Sequence, residues 1–508
     1  MGQHDLRLPT IGSKFLRMPN RIAPMRGSHV RVSSFWRFVR SPAGAVALAT
    51  AFSALAYGTL VLHKQAVFGT QAFDLGIFDQ GVWLLSRFKN PYVTLRGLNL
   101  FADHASWILL LVAPLYWIWA DVRVLLLLGV VAVAAGGPML YAIARTEGVR
   151  KPLAAGLAVA YLLHPAVGWN VWDVFHPEVL AIPLLIAAYL FAVRRRVTLA
   201  GLMLLLVLLI KEDAALVVVP FALYFGWRFK AWRVTAVVIG TSFAMFAFDF
   251  WYALPHLSPT GALIYTSRYG EFGNSMTEII RNVVVHPGKV LSLLATSKRL
   301  IYLASMLLPL FLSLLAPEVL LIAAPVTLAN LLSLHGYQSE INYHYTAYMM
   351  AVVAIAAIHG ASRLDRERLS RSLVPAVLIA GILGMLFAGP LPDNGGPWGG
   401  STSNPQAIND AIALIPDDAS VSADWYISPH MSHRTDIYMY TNPFIRDYWS
   451  ADEAPGPPPD AVDWVIIEAG TPGNGGGKTA DALAMIEADP HWQEVVANDY
   501  VLVYHKVD

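Results

Sequence analysis

A mainly α-helical, polytopic membrane protein with a small external α/β domain at its C-terminus is the fold class this sequence predicts. Three observations predict it. Hydrophobic residues make up 56% of the 508 residues and charged residues only 14%, against roughly 25% charged in a soluble domain. Eleven apolar segments of near-spanning length follow one another between residues 44 and 390. Beyond residue 390 the long apolar runs stop and short alternating segments replace them. The net charge of +1 gives no reason to expect a nucleic-acid partner, and the absence of Cys excludes disulfides and thiolate metal sites.

A spanning helix needs about 20 apolar residues, with a working range of about 17–25. The segments lie near 44–63, 123–144, 152–168, 178–193, 197–210, 214–227, 234–254, 299–316, 318–334, 345–361 and 372–390. The pair 197–210 and 214–227 is short, and the two can be read as one interrupted span. Basic residues decide between the readings, because cytoplasmic loops are enriched in Lys and Arg. Residues 1–41 hold Arg7, Lys14, Arg17, Arg21, Arg26, Arg31, Arg37 and Arg40 against one acid, Asp5. With eleven spans, the clusters Arg145/Arg150/Lys151, Arg194–Arg196, Arg228/Lys230/Arg233 and Arg363/Arg366/Arg368/Arg371 all fall on that same side. Merging 197–227 would put the last two outside. The expectation is therefore a multi-pass plasma-membrane protein with a cytoplasmic N-terminus and an external C-terminus. The first span has too long a basic leader to be a signal peptide.

The predicted organisation is a basic cytoplasmic segment (1–43), a transmembrane domain (44–390) and an extracytoplasmic α/β domain (391–508). Two external loops are large, 64–122 and 255–298. The first contains an apolar stretch at 106–119, too short to span and read as an interfacial helix. The tail opens on a Gly/Pro/Ser/Asn linker, PLPDNGGPWGGSTSNP. Helix-like AINDAIALI, strand-like ASVSA, DIYMY and AVDWVIIEA, helix-like TADALAMIEA and a closing strand pair around WQEVVANDYVLVYHK follow. TPGNGGGKTA imitates a phosphate-binding loop, but G-x-x-x-x-G-K-[ST] needs Gly where Pro472 stands, so it is read as a flexible loop.

Ionisable residues at membrane depth are functional candidates. Here they gather at the external ends of spans: Asp74, Asp79, Asp103 and His104 in the first loop, Asp173, His176 and Glu178 in WDVFHPE, Lys211-Glu212-Asp213, and Glu340 and His344 in YQSEINYHY. Each has an ordinary alternative. FADHAS reads as a helix N-cap, HPE as Pro and Glu in a first turn, and His344 as a satisfied helix-end histidine. In FDLGIFDQ, Asp74 and Asp79 are five residues apart, about 140° around a helix, so they do not share a face. Three successive groups in KED cannot all face one lumen either. They point to an external turn in which Lys211 pairs one acid and leaves the other free. A carboxylate at such a surface can act as general base on a hydroxyl. Lys211, Arg96 and Arg268 are cations suited to a phosphate leaving group. With no nucleotide site, a lipid-linked donor is favoured.

FDLGIFDQGVW, DHAS, HPE, KEDAAL and INYHY, in this order, resemble a bacterial and archaeal membrane family known as domain of unknown function 2079. The resemblance covers about residues 70–360, and SADWYISPHMSHR extends it into the tail. That family is grouped with the type C (GT-C) glycosyltransferases, which include aminoarabinose transferases and protein O-mannosyltransferases. The resemblance implies a catalytic acid in the first external loop, at Asp74, followed by an interfacial helix and the second span. It implies inverting transfer from a polyprenyl-phosphate sugar to a glycan, lipid or protein acceptor. Asp79, Arg96, His104, His176, Glu178, Lys211, Glu212, Asp213, Arg268 and His344 are the candidate substrate contacts. Some type C enzymes use a divalent metal, Mg or Mn, for which Asp79, Asp103 and His104 are candidate ligands. The departure is Leu75, where several type C enzymes carry a second acid. A transporter or lipid flippase, and a non-catalytic protein whose tail binds the cell envelope, are the rival readings.

Overall fold

The computed structural model describes residues 1–2, 36–259, 261, 266–364, 367–390, 404–448, 458–471 and 477–507. The 391–403 linker, most of the basic leader and the centre of the 471–480 loop lie outside them.

The chain is mainly helical, and each predicted apolar segment falls on a helix. Seven helices have spanning length: Pro42–Ala66, Arg123–Thr146, Lys151–Trp172, Trp232–Leu257, Ser297–Leu315, His344–Leu364 and Glu367–Ala388. The segments at 178–193, 197–210, 214–227 and 318–334 correspond to the shorter helices Pro177–Val193, Val197–Leu208, Ala215–Phe229 and Pro317–Leu332. Apolarity alone does not set helix length; Pro, His and charged pairs break several of these runs. The break inside Lys151–Trp172 is one case. His164 sits ahead of Pro165, its Nδ1 accepts from the Ala166 N–H (3.1 Å), and its Nε2 meets the Met306 carbonyl at 3.0 Å. The side chain thereby satisfies backbone groups that a break would strand away from water.

His344–Leu364 is the central helix, buried over most of its length. Lipid tails are as apolar as Leu, so helices here associate by close packing and not by expelling water. Gly360 shows how close: a Cβ there would lie 1.8 Å from the Leu312 carbonyl oxygen. Pro42–Ala66, Trp232–Leu257 and Glu367–Ala388 form the periphery, with Phe52, Phe243 and Phe387 exposed as lipid-facing side chains would be. The 106–119 stretch forms two short turns, Leu109–Val112 and Leu115–Ile118, interrupted at Pro114. Trp117, Ile118 and Trp119 remain exposed, in keeping with an interfacial position.

Two strands in the first loop, β1 (Tyr92–Val93) and β2 (Leu98–Asn99), pair antiparallel. The C-terminal sheet holds β3 (Val421–Ala423), β4 (Ile437–Met439), β5 (Trp464–Glu468), β6 (Trp492–Ala497) and β7 (Val501–Lys506), in the order β4-β3-β5-β7-β6. β3 runs parallel to β4 and β5, while β7 runs antiparallel to β5 and β6. Helices Pro405–Ile412 and Gly477–Ala488 accompany it. The sheet does not stand apart from the first loop. Thr94 Oγ1 donates to the Ile437 carbonyl at 2.5 Å and accepts from the Ile437 N–H at 3.0 Å, and the Gln80 amide reaches the Arg434 and Thr435 carbonyls at 3.2 Å.

Candidate functional site

FDLGIFDQ is not one helix. Asp74 sits in a tight turn, Ala72–Gly76, with φ 68° and ψ −77°. That is the strained γ-turn region, rare for any residue with a side chain. The regular helix begins only at Ile77. The turn is held from the tail, because the Ala72 N–H donates to the Trp425 carbonyl at 2.8 Å. The 140° estimate for Asp74 and Asp79 therefore does not apply, although the conclusion that they face different surroundings holds. Asp74 keeps 31% of its side chain exposed, whereas Asp79 is fully buried.

Across from Asp74 lies WDVFHPE. Val174 has φ 74°, an unusual value for a β-branched residue. This bend turns Asp173 and His176 toward the same space. His176 Nε2 lies 3.0 Å from Asp74 Oδ2, off the line of a hydrogen bond but at ion-pair distance. The His176 ring stacks on His344 with centroids 3.6 Å apart. Asp173 Oδ2 accepts from the His344 N–H at 3.3 Å and lies 3.6 Å from its Nδ1. Glu178 Oε1 lies 3.7 Å from His344 Nε2 and 2.9 Å from Lys211 Nζ. Pro177 does start a helix, as capping requires, but Glu178 is more than a cap. Burial disfavours a charge on His176, yet the carboxylates of Asp74, Asp173 and Glu178 outweigh it and raise its pKa to about 9. Burial raises Asp173 to about 7, with His176 pulling the other way.

KED forms the expected turn between two helices, with different partners from those expected. Lys211 pairs with Glu178 across the site and not with its neighbours. Its Nζ also lies 5.4 Å from the centre of the Tyr345 ring. Burial opposes the charge on Lys211, but Glu178, Asp213 and Glu212 overcome it and hold its pKa well above the ordinary lysine value. Glu212 takes His104 Nδ1 at 3.0 Å and the Ala105 N–H at 3.2 Å. Asp213 is the acid left over. Its Oδ1 is buried without a hydrogen-bond partner, and burial lifts its pKa above the usual carboxylate range. Arg268 is buried and acts electrostatically on Tyr345, as do Lys211 and Asp74.

Three predicted residues stand elsewhere. Arg96 donates to the Tyr448 carbonyl at 2.5 Å and pairs with Asp103 at 3.3 Å, tying the first loop to the tail. Asp79 accepts from Tyr116 and from Ser432, and lies 3.0 Å from His433 Nε2. A cleft of about 390 Å3 on that side is lined by Asp79, Asp121, His430 and His433, and Asp74 is not among its lining residues. Asp79, Asp103 and His104 thus engage three separate sets of partners and do not gather as donors for a divalent cation. Among the described residues, the group able to do so is Asp173, His176 and His344.

Sequence reasoning named Asp173 among the candidate ionisable residues of WDVFHPE but gave it no role in the site. It passed over Lys64, whose Nζ donates to the Trp172 carbonyl at 2.8 Å beside Asp173. The signal for Lys64 was a lone cation in the last turn of an apolar span. Ser432 and His433 lie in the quoted SADWYISPHMSHR, but nothing local joins them to Asp79. No curated protein matches the chain. Residues 64–494, which include the Asp74 turn, the histidine cluster and most of the sheet, match the family model described as predicted membrane protein (DUF2079), and the chain belongs to that family.

Proposed function

We propose that this chain is an integral-membrane glycosyltransferase of GT-C type. It moves a sugar from a polyprenyl-phosphate donor to a hydroxyl of a glycan, lipid or protein acceptor on the outer face of the membrane. Asp74 takes the acceptor proton. The freed oxygen attacks the anomeric carbon opposite the phosphate, the bond to the lipid phosphate breaks, and the configuration inverts. Lys211 and Arg268 face the charge that develops on the leaving phosphate. In this reading residues 44–390 cross the plasma membrane eleven times, the basic 1–43 segment is cytoplasmic and residues 391–508 are extracytoplasmic.

The observation that carries the reading is the setting of Asp74: a partly exposed carboxylate on a strained turn, facing a buried set of imidazoles, carboxylates and a lysine. Strain of this kind persists where the surroundings enforce it, and it concentrates at active sites. The test is release of polyprenyl phosphate from a panel of polyprenyl-phosphate hexoses and pentoses by purified protein in liposomes. Turnover by the wild type that Asp74→Asn abolishes supports the reading. Turnover retained by a folded Asp74→Asn protein overturns the role of Asp74.

A transporter or flippase remains the second reading, on one observation. A separate network joins the buried Tyr189 and His359 to Glu147 and the exposed Arg228, near basic loops at the other ends of the spans. Ion pairs at both ends of a bundle also suit alternating access. Movement of a polyprenyl-phosphate sugar across the liposome bilayer without cleavage favours this second reading.

A further inference from the structure

We propose that Asp173, His176 and His344 bind one divalent transition-metal ion of the Zn2+ class, through the Nδ1 atoms of the two imidazoles and the Asp173 carboxylate. The inference goes beyond the transfer reaction and stands whether or not Asp74 is a base.

The first argument is the convergence of donors. One donor atom from each of the three residues lies within 4.8 Å of the others. Bonds of about 2.0–2.2 Å to one ion need only a modest contraction of that group. The second argument concerns which nitrogen is available. His176 turns its Nε2 to Asp74 at 3.0 Å, and His344 turns its Nε2 to Glu178 at 3.7 Å. Both Nδ1 atoms are buried without a hydrogen-bond partner among the described residues. A ligating histidine ordinarily has a carboxylate against its other ring nitrogen, which sets the tautomer and the ring orientation. Here each imidazole has a carboxylate near its Nε2, at ion-pair and not hydrogen-bond geometry. Because the rings stack face to face with centroids 3.6 Å apart, ligation of one ion requires them to turn out of that stack. Asp173 Oδ2 then stands 3.6 Å from His344 Nδ1, on the side where an ion would bridge them.

The third argument is the donor set, which selects the ion. Two imidazoles and one carboxylate suit Zn2+, Co2+ or Fe2+, whereas Mg2+ takes oxygen ligands and retains its waters. Three protein ligands leave a coordination position open, as in reactive rather than structural zinc sites.

The experiment uses the full chain purified in detergent and stripped with chelator. Co2+ is added and followed by its visible absorption, and Zn2+ is then added as competitor, with metal content measured by elemental analysis. The expected result is one equivalent of Co2+ with a tetrahedral-type spectrum, displaced by Zn2+. His344→Gln and Asp173→Asn should each weaken binding at least tenfold. His491→Ala, which removes the exposed pair with Asp489, should leave it unchanged. Size-exclusion profiles identify any variant that fails to fold, and His344→Ala serves as the replacement for His344→Gln. Absence of a bound equivalent in the wild type overturns the proposal, as does binding that survives both cluster substitutions in folded protein. Sugar transfer is not read in this experiment, so its outcome is independent of the transferase reading.

Discussion

Asp74 combines two properties that usually conflict. Its φ of 68° carries strain, about 1–3 kcal/mol for such a residue, and its carboxylate has the ion-pair contact to His176. Glycine would accept that backbone and lose the chemistry. Asp74→Gly is therefore expected to raise stability by about 0.5–2 kcal/mol, the strain relieved less the extra freedom of glycine in the unfolded chain. It should lower sugar transfer at least 100-fold, the low end of what a general base contributes. Thermal unfolding in detergent and the polyprenyl-phosphate assay read the two effects separately; a destabilised Asp74→Gly would mean that the turn is not strained. Lys211 and Glu178 pose a different balance. Both are buried and their atoms are 2.9 Å apart. Lys211→Met strands the Glu178 carboxylate, at a cost of about 3–5 kcal/mol. Adding Glu178→Gln removes the stranded charge, so the double variant should regain most of that stability. If it is no more stable than Lys211→Met, Glu178 has other compensation.

At the scale of elements, the loop after the first apolar helix and the tail form one structure. Helix Ile77–Ser86 is attached to the tail through Asp79, Gln80 and the adjoining Thr94, and the Asp74 turn through the Trp425 carbonyl. His433 is the titratable part of this contact. Burial disfavours its charge, but Asp79 and Asp121 overcome it and raise its pKa, while Arg87 opposes them. Trp83 and Tyr116 supply the rings that pack beside it. A histidine raised in the docked state stabilises docking fully below its free pKa, about 6.5. That contribution is lost as pH rises through the docked pKa. Amides of residues 425–434 should therefore exchange faster, after correction for intrinsic rates, as pH rises above about 6.5. His433→Ala should weaken docking by about 1–2 kcal/mol at low pH, as for a charge-assisted contact, and flatten the pH dependence. A pH dependence unchanged in His433→Ala would assign it to another group. The tail's strands and helices were legible in the sequence because alternation and turn residues mark them locally. Its attachment was not, because Asp79 and Ser432 meet across 353 positions of sequence.

For the whole molecule, what the sequence carried follows from what the bilayer demands. Apolar length is a local property, so the helices could be read directly, and Lys/Arg asymmetry gave an expected sidedness. The clustering of Asp74, His176, Glu178, Lys211 and His344 was legible only as an expected common end of the helices. The pairing within it was not, since Lys211 chose Glu178 over two adjacent acids. The four shorter apolar helices keep the span count open, and topology turns on them. If Val197–Leu208 and Ala215–Phe229 each cross, Lys151 and the C-terminal sheet lie on opposite faces; if they form one interrupted crossing, the two lie on the same face. The chain contains no Cys, so a single introduced thiol reports its own position. Lys151→Cys and Asn498→Cys both replace exposed residues. With eleven crossings, a membrane-impermeant maleimide added to intact cells should label Asn498→Cys at once and Lys151→Cys only after permeabilisation. Labelling of both in intact cells, or of neither, would remove one crossing between them. The Lys211 turn would then remain within an interrupted span, as transport sites do, and the flippase reading would gain over transfer at the outer face.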